Sequence, residues 1–349
     1  MINKSAELKS NRNSAFELLR IIMMLGIVFS HFAFGKNFNF PVMSITLNKL
    51  WIQFLIMGGK LGVNTFVLIS GYFLIYSDGL KIKRILGIWS KMIFYSLAMF
   101  IMSIYLGFIK FSVTGAINAF LPVIKGRWWF ASTYFMLYLI HPYINLLIKN
   151  LTKRQYEEML ILLTICWVIV PTLTNSFLGC NGLLWFAYLY SIAGYIRLHA
   201  DNFGSTKFIW LAVLLIILNF LLAVVFDLIG LKMNIKIFAE HPLHFFNTQM
   251  LPTVLIPVCL LIGFSHLDLG YCPVINIIAS ATFAVYMIHT EGVLYVILWR
   301  DIVRTLSFQD SNYLIPYSLG VVLLIYISCT LIELARSKVF KIISGGRLS

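Results

Sequence analysis

The stretch FELLRIIMMLGIVFSHFAFG, residues 16–35, is apolar over the length of a membrane-spanning helix and yet contains three ionisable side chains. A transmembrane helix needs about 20 predominantly apolar residues. The rest of the chain is similar, since 60% of its 349 residues are hydrophobic and 11% are charged. In soluble domains about 45–50% of the residues are apolar and about 25% are charged. The composition therefore predicts an all-α, polytopic transmembrane helical bundle that forms one domain over residues 1–349.

Ten apolar runs of roughly spanning length predict about ten transmembrane helices. They cover residues 16–35, 54–76, 86–108, 128–148, 158–174, 182–198, 208–228, 250–266, 274–298 and 314–335. Gly58-Gly59-Lys60 predicts a break near the start of the second span, and His289-Thr290-Glu291 predicts one in the ninth. Residues 111–125 are too short and too interrupted to span, so we expect a re-entrant or interfacial segment there.

The positive charges predict the orientation of the bundle. With ten spans, 17 of the 27 lysines and arginines fall on the side of the N-terminus. Cytoplasmic loops carry an excess of these residues. We therefore expect both termini, as short tails over residues 1–13 and 336–349, to lie in the cytoplasm. The first apolar run has no small-residue cleavage site, so we expect a retained span instead of a signal peptide.

The net charge of +14 is divided among short clusters between the apolar runs and forms no continuous patch. Such clusters predict contact with the lipid bilayer and its anionic headgroups, and they argue against nucleic acid as a partner. The five cysteines are scattered without a C-x-x-C pair, so neither a disulfide framework nor a metal site is predicted. No P-loop, Rossmann fingerprint or G-x-S-x-G motif occurs.

Three ionisable residues of the first span fall on one helical face. Arg20 and His31 are eleven residues apart, which is almost three turns of an α-helix. They therefore share a face and lie ~16 Å apart along the axis. Glu17 precedes Arg20 by three residues and can pair with it. Ionisable groups within a membrane normally face a partner or a polar cavity, so this helix is expected to line a polar path.

The chemistry of these side chains indicates group transfer. A neutral imidazole accepts a proton from a hydroxyl group at physiological pH, so His31 is a candidate general base. The guanidinium of Arg20 suits a phosphate-bearing ligand near the cytosol, and Glu17 would orient Arg20. Together they suggest a thioester donor from the cytoplasm and a hydroxyl acceptor deeper in the membrane. The alternative is that His31 only forms a hydrogen bond to another helix.

Four ordered segments resemble one known family. They are Glu17, Arg20 and His31 in the pattern E-x-x-R-x10-H, then GVNTFVLISGYFL at 62–74, WFASTYFMLYLIHPYIN at 129–145, and ASATFAVYMIH at 279–289. Over nearly the whole chain they resemble the membrane acyltransferase-3 family, which contains O-acetyltransferases of bacterial surface polysaccharides and typically has ten spans. One departure is Lys81-Ile82-Lys83-Arg84, where members often carry R-x-x-R. Lysine keeps the charge and loses the bidentate fork.

The resemblance implies the transfer of an acetyl or other acyl group from cytosolic acetyl-CoA to a hydroxyl group of a cell-surface or lipid-linked glycan. Acetyl-CoA would be a co-substrate, and no tightly bound cofactor is expected. The location implied is the bacterial plasma (inner) membrane. His31 would act as general base or carry the acyl group transiently.

Six further polar residues are candidates for the site. Lys81 and Arg84 suit the phosphates of coenzyme A, and equally suit anchors at the membrane surface. Asn64 and Ser70 are candidates for the cavity wall. Tyr286 and His289 are three residues apart, on one helical face, and suit the acceptor side, the orientation of His31 or simple packing.

The main alternative function is a secondary transporter of a glycan or lipid precursor that uses the same buried charges without acyl transfer. Transporters of this kind often contain inverted repeats with interrupted helices in matched positions. No such pairing is visible in this sequence, which favours the acyltransferase. The sequence predicts no particular oligomeric state.

Overall fold

The computed structural model describes residues 13–34, 37–39, 44–77, 79–200, 204–233, 235, 238 and 241–343. Within these residues the chain is helical and contains no β-strand, which confirms the all-α class. Of the predicted N-terminal tail only Asn13 is described, and of the predicted C-terminal tail the described part, up to Ile343, continues the last helix.

Thirteen helices form the described part of the chain. In chain order they are α1 Ala15–Phe32, α2 Leu47–Leu74, α3 Ile82–Tyr105, α4 Val113–Phe120, α5 Trp129–Asn150, α6 Lys153–Thr174, α7 Gly182–His199, α8 Lys207–Lys232, α9 Leu251–Ser265, α10 Pro273–Ser280, α11 Thr282–His289, α12 Gly292–Val296 and α13 Leu314–Ile343. A π-helical turn at Ile165–Ile169 lies within α6, and a second one at Ile297–Ile302 follows α12.

Seven segments in the described residues are long and apolar enough to cross a membrane. They are α1, α2, α3, α6, α8, α13 and His244–Ser265, which includes α9. If the bent pair of helices Pro273–His289 and Gly292–Phe308 forms one span, the described residues contain eight candidate spans. The predicted count of ten is therefore not confirmed. The predicted spans at α5 and α7 are helices, but polar side chains such as His141 and Asn145 lower their apolar character.

The break predicted at Gly58-Gly59-Lys60 is wrong, because α2 runs unbroken through it. The glycines are instead where α1 packs against α2. A Cβ atom on Gly58 would lie 2.6 Å from the carbonyl oxygen of Gly26, and one on Gly62 would lie 2.8 Å from that of Met23. Small residues let two membrane helices approach this closely. The contact positions the end of α1, which carries His31, against the middle of α2.

Helix α2 lies at the centre of the bundle and also packs against α7 and α9. The side-chain amide of Asn64 donates to the carbonyl oxygens of Thr248 and Thr253, at 3.0 and 2.8 Å. Its oxygen accepts a hydrogen bond from the indole of Trp185, at 3.0 Å. All the polar atoms of this side chain are therefore used to join helices, which stabilises the central position of α2.

Two buried carboxylates join other helices through ion pairs. Asp227 of α8 pairs with Lys49 of α2 at 3.0 Å and also accepts a hydrogen bond from Gln53. Glu333 of α13 pairs with Lys91 of α3 at 2.8 Å and with Arg336 at 2.7 Å. Charges in an apolar interior are normally paired, because an unpaired one loses its hydration without compensation.

The break predicted at His289-Thr290-Glu291 is present. Helix α11 ends at His289, and the side chain of Glu291 caps the start of α12 by accepting a hydrogen bond from the backbone N–H of Leu294. The two parts of the bent pair differ in direction by 83°. In the predicted interfacial segment the only described helix is α4, whose eight residues are too few to span.

Candidate active site

Helix α1 carries three of the candidate residues without interruption. The guanidinium of Arg20 donates to the carboxylate of Glu17 at 2.8 Å, as their spacing predicts. Arg20 is half-buried and lies near the start of the helix, whereas His31 lies in its last turn. Because the helix is regular, their axial separation of ~16 Å is retained.

His31 and His289 form a hydrogen-bonded pair between α1 and α11. The Nδ1 atom of His31 lies 2.8 Å from the Nε2 atom of His289, and the ring centroids are 5.0 Å apart. The Nδ1 atom of His289 lies 2.5 Å from the backbone carbonyl oxygen of Val285. The three groups form a chain that begins at a carbonyl oxygen and ends at the ring of His31.

This series of hydrogen bonds determines which nitrogen atoms of the two histidines carry protons. A carbonyl oxygen only accepts, so the Nδ1 atom of His289 must be the donor to Val285. In a neutral imidazole the other nitrogen is an acceptor, so Nε2 of His289 accepts from Nδ1 of His31. The Nε2 atom of His31 is then left with a lone pair and has no hydrogen-bond partner among the described residues. This arrangement is that of a general base.

The surroundings hold His31 in place and leave part of it accessible. Its backbone carbonyl oxygen accepts hydrogen bonds from the side chains of Asn37, at 2.8 Å, and Tyr295, at 3.3 Å. The ring of Tyr295 meets the ring of His31 edge-on. His31 is half-buried, whereas His289 is 1% exposed. Of the two histidines, His31 is therefore the more exposed.

Lys60 is a candidate that the sequence reading missed. It lies in the middle of α2, is half-buried, and its Nζ atom is 5.4 Å from the centre of the Trp129 ring. It follows Gly59, which packs directly against Ser30, the residue before His31. A signal was present in the sequence, because Lys60 is the only ionisable residue between Trp51 and Leu74 apart from a tyrosine.

An ion pair fixes the break beside His289. Arg127 donates to the carboxylate of Glu291, which is 2% exposed. The neighbouring indole of Trp128 donates to the backbone carbonyl oxygen of Met287 at 3.0 Å. The start of α5 is thus attached to α11 and α12 on both sides of His289, which holds that ring in its orientation.

A second region, at the end of the bundle where α1 begins, contains a cavity of about 500 Å³. It is lined by Phe73, Leu74, Tyr76, Ser77, Gly79, Leu80, Lys81, Arg84 and Tyr138. The guanidinium of Arg84 lies 5.1 Å from the centre of the Tyr138 ring. The structure therefore brings Lys81 and Arg84 to one cavity. Arg20 does not line it, although Phe16, one turn earlier in α1, packs against Phe73.

The remaining candidates have protein partners. Ser70 donates to the carbonyl oxygen of Phe66 at 2.9 Å and lies 3.3 Å from the hydroxyl group of Tyr134, and no basic side chain among the described residues contacts it. Tyr286 is buried, and its ring packs against Phe130 with 5.3 Å between centroids. Within the described residues, no group of three His, Cys, Asp or Glu side chains could hold a metal ion.

Comparison with known proteins identifies the family. The family model Acyl_transf_3, described as an acyltransferase domain, matches residues 13–333. The histidine pair, Lys60 and the basic cavity all lie within the matched region. No curated protein and no solved structure is significantly similar to the chain. Because the match covers nearly the whole chain, and the fold is an apolar helical bundle, this multi-pass membrane protein belongs to the acyltransferase-3 family.

Proposed function

We propose that this protein is a membrane-bound O-acyltransferase that transfers an acetyl group from acetyl-CoA to a hydroxyl group of a cell-surface or lipid-linked glycan. It would act in the bacterial plasma membrane, with both termini and the thioester donor on the cytoplasmic side. The observation that carries this proposal is the lone pair on Nε2 of His31, which no described residue contacts by a hydrogen bond and which the hydrogen bond from Nδ1 to His289 fixes. Membership of an acyltransferase family supports the same reaction.

The reaction follows from this geometry. Nε2 of His31 removes the proton from the acceptor hydroxyl group, and the oxygen atom attacks the carbonyl carbon of the thioester. The positive charge that forms on His31 is shared with its hydrogen-bond partner, His289. The carbon–sulfur bond then breaks, and the leaving thiolate takes from His31 the proton that came from the hydroxyl group. Positioning both substrates beside one base supplies much of the rate enhancement.

The basic cavity is the proposed place for the nucleotide part of the donor. Its volume of about 500 Å³ lies within the usual range for small-molecule sites. Lys81 and Arg84 offer two cations for phosphate groups, and the rings of Tyr76 and Tyr138 offer faces for a base. Arg20, oriented by Glu17, would contact the donor between this cavity and His31.

The proposal is tested with the purified protein in detergent. Acetyl-CoA consumption is measured with and without a glycan acceptor isolated from the parent cell envelope, and ester formation is followed by mass spectrometry. We expect acceptor-dependent loss of the thioester and a matching amount of O-acetylated glycan. If the folded protein neither binds nor consumes any acyl-CoA, the proposal fails and transport becomes the better explanation.

A further inference from the structure

Lys60 has no counter-ion in the part of the chain that the structure describes. No carboxylate lies within ion-pair distance of it, and its one described close contact is the face of the Trp129 indole. The two cations Lys49 and Lys91 behave differently, since Lys49 pairs with Asp227 and Lys91 pairs with Glu333. Lys60 thus differs from these two lysines, because no described residue supplies it with a negative partner.

A cation in this position is costly. An ammonium group inside a membrane protein loses hydration that only a partner or a polar cavity restores. Contact with an indole ring recovers about 0.5–2 kcal/mol, which is a fraction of that loss. The indole of Trp129 is 48% exposed and Lys60 is half-buried, so neither side chain is completely enclosed by the protein. The site is therefore suited to a negative charge supplied by something other than the protein.

The location of Lys60 indicates which negative charge this is. Gly59 packs against the side chain of Ser30 where α2 crosses α1, so the residues that follow them, Lys60 and His31, start from neighbouring backbone positions at this crossing. The ring that Lys60 faces belongs to Trp129, and the preceding residue, Trp128, donates a hydrogen bond to the carbonyl oxygen of Met287, two residues before His289. An acyl group attacked by a hydroxyl that His31 has deprotonated would therefore lie near this ammonium group.

We propose that Lys60 is a catalytic residue that stabilises the negative charge on the acyl carbonyl oxygen during transfer. This inference rests on the proposed acyl transfer. As the hydroxyl oxygen forms its bond to the carbonyl carbon, the π electrons of the carbonyl group move to its oxygen atom, and Lys60 donates a hydrogen bond to it. When the carbon–sulfur bond breaks, its electron pair leaves with the sulfur, the oxygen electrons return to the carbonyl group, and the thiolate receives the proton from His31. Lys60 remains protonated throughout.

The test compares Lys60→Met with Lys60→Arg and with the control Lys83→Met, which removes an exposed cation outside the cavity. Initial rates are measured against pH and against thioester concentration. For Lys60→Met we expect the limiting rate on the pH plateau to fall by about 100- to 1,000-fold, as for other donors to an oxyanion. The KM for the thioester should change little, and Lys60→Arg should retain more activity.

Two results would overturn the inference while leaving acyl transfer intact. One is a Lys60→Met enzyme whose plateau rate is normal and whose pH profile alone is shifted, because Lys60 would then act only through His31. The other is a raised KM with an unchanged kcat, because Lys60 would then bind the ground state and the transition state equally. If the wild-type protein transfers no acyl group, both the proposed function and this inference fail.

A second variant distinguishes a loss of activity caused by misfolding from one caused by the missing ammonium group. Lys60→Cys is treated with 2-bromoethylamine, which rebuilds an ammonium group on a side chain of similar length, and the wild-type protein receives the same treatment. We expect the treated variant to regain at least about 10-fold in rate, since the donor to the oxyanion is restored. Unchanged inactivity of a treated variant with a normal melting temperature would contradict the inference.

Discussion

The Nδ1 atom of His31 and the Nε2 atom of His289 are 2.8 Å apart, although 258 positions separate the two residues in the chain. Because Nδ1 of His289 is committed to the carbonyl oxygen of Val285, this contact fixes the tautomers of both rings. The buried ring thus acts as a positioning residue for the accessible one. A carboxylate orients the histidine in the Ser-His-Asp triad in a comparable way.

The pair predicts a specific pattern of mutant activities. His31→Ala should lower kcat by about 100- to 10,000-fold, the usual contribution of a general base. His289→Ala should lower kcat by a smaller factor than His31→Ala does, because His31 keeps its lone pair but loses its fixed orientation. The double variant should be about as slow as His31→Ala alone, since residues that act as one unit are not additive. This pattern is checked by measuring the rate of ester formation for the wild-type protein, the two single variants and the double variant in a double-mutant cycle.

Full additivity in that cycle would contradict the arrangement, because it would mean that the two histidines act independently. His289→Gln provides a further control, since its amide can still accept a hydrogen bond from Nδ1 of His31. It should retain more activity than His289→Ala.

The basic cavity predicts an effect on donor binding. Lys81→Gln and Arg84→Gln should each raise the KM for acetyl-CoA by about 10-fold with little change in kcat, because each removes about 1–2 kcal/mol of charge-assisted bonding to phosphate. Lys83→Gln is the matched control, since Lys83 has the same charge in the same turn but does not line the cavity. Steady-state kinetics at fixed ionic strength measure all three. Equal effects at all three positions would indicate general attraction without a defined site.

The contact between α1 and α2 predicts an effect on stability. In Gly58→Ala the new Cβ atom would meet the backbone of Gly26 at 2.6 Å, so the helices must separate. We expect a loss of about 1–3 kcal/mol, the usual cost of overpacking. Gly87→Ala in α3 meets nothing within 4 Å and should be neutral or slightly stabilising. Thermal unfolding in detergent compares them, and equal stability of the two variants would refute the close contact.

Much of the fold could be predicted from the sequence because long apolar runs determine membrane helices. The expected first span, 16–35, corresponds to Ala15–Phe32, and the ninth breaks at the expected residues. The second span was misjudged because Gly58 and Gly59 weaken an isolated helix. Here they allow the close contact with α1, a tertiary effect that sequence spacing does not reveal.

The site could be predicted only in part. Spacing along one helix indicated the Glu17–Arg20 pair and the shared face of His31, because those relations are local. The contact between His31 and His289 depends on how α1 and α11 pack, so the sequence suggested it only as one of several roles. Lys60 was assigned to a break in the helix, and its position near His31 became visible only once that helix proved continuous.

The buried ion pair between α2 and α8 predicts a further effect on stability. Asp227→Asn removes a carboxylate that Lys49 and Gln53 both contact, and it should cost about 3–5 kcal/mol. Glu158→Gln in the exposed pair with Arg154 should change stability by less than about 1 kcal/mol. Unfolding of both variants in detergent provides the comparison, and a stable Asp227→Asn protein would show that this pair is not required.

The most direct test of the account measures acyl transfer by the His31→Ala protein, with His241→Ala as the control. His241 is an exposed histidine distant in sequence from the pair. Both variants are purified, checked for folding by thermal unfolding, and supplied with saturating acetyl-CoA and glycan. We predict that ester formation is nearly abolished in His31→Ala and unchanged in His241→Ala. A folded His31→Ala protein that transfers the acyl group at the wild-type rate would contradict the account.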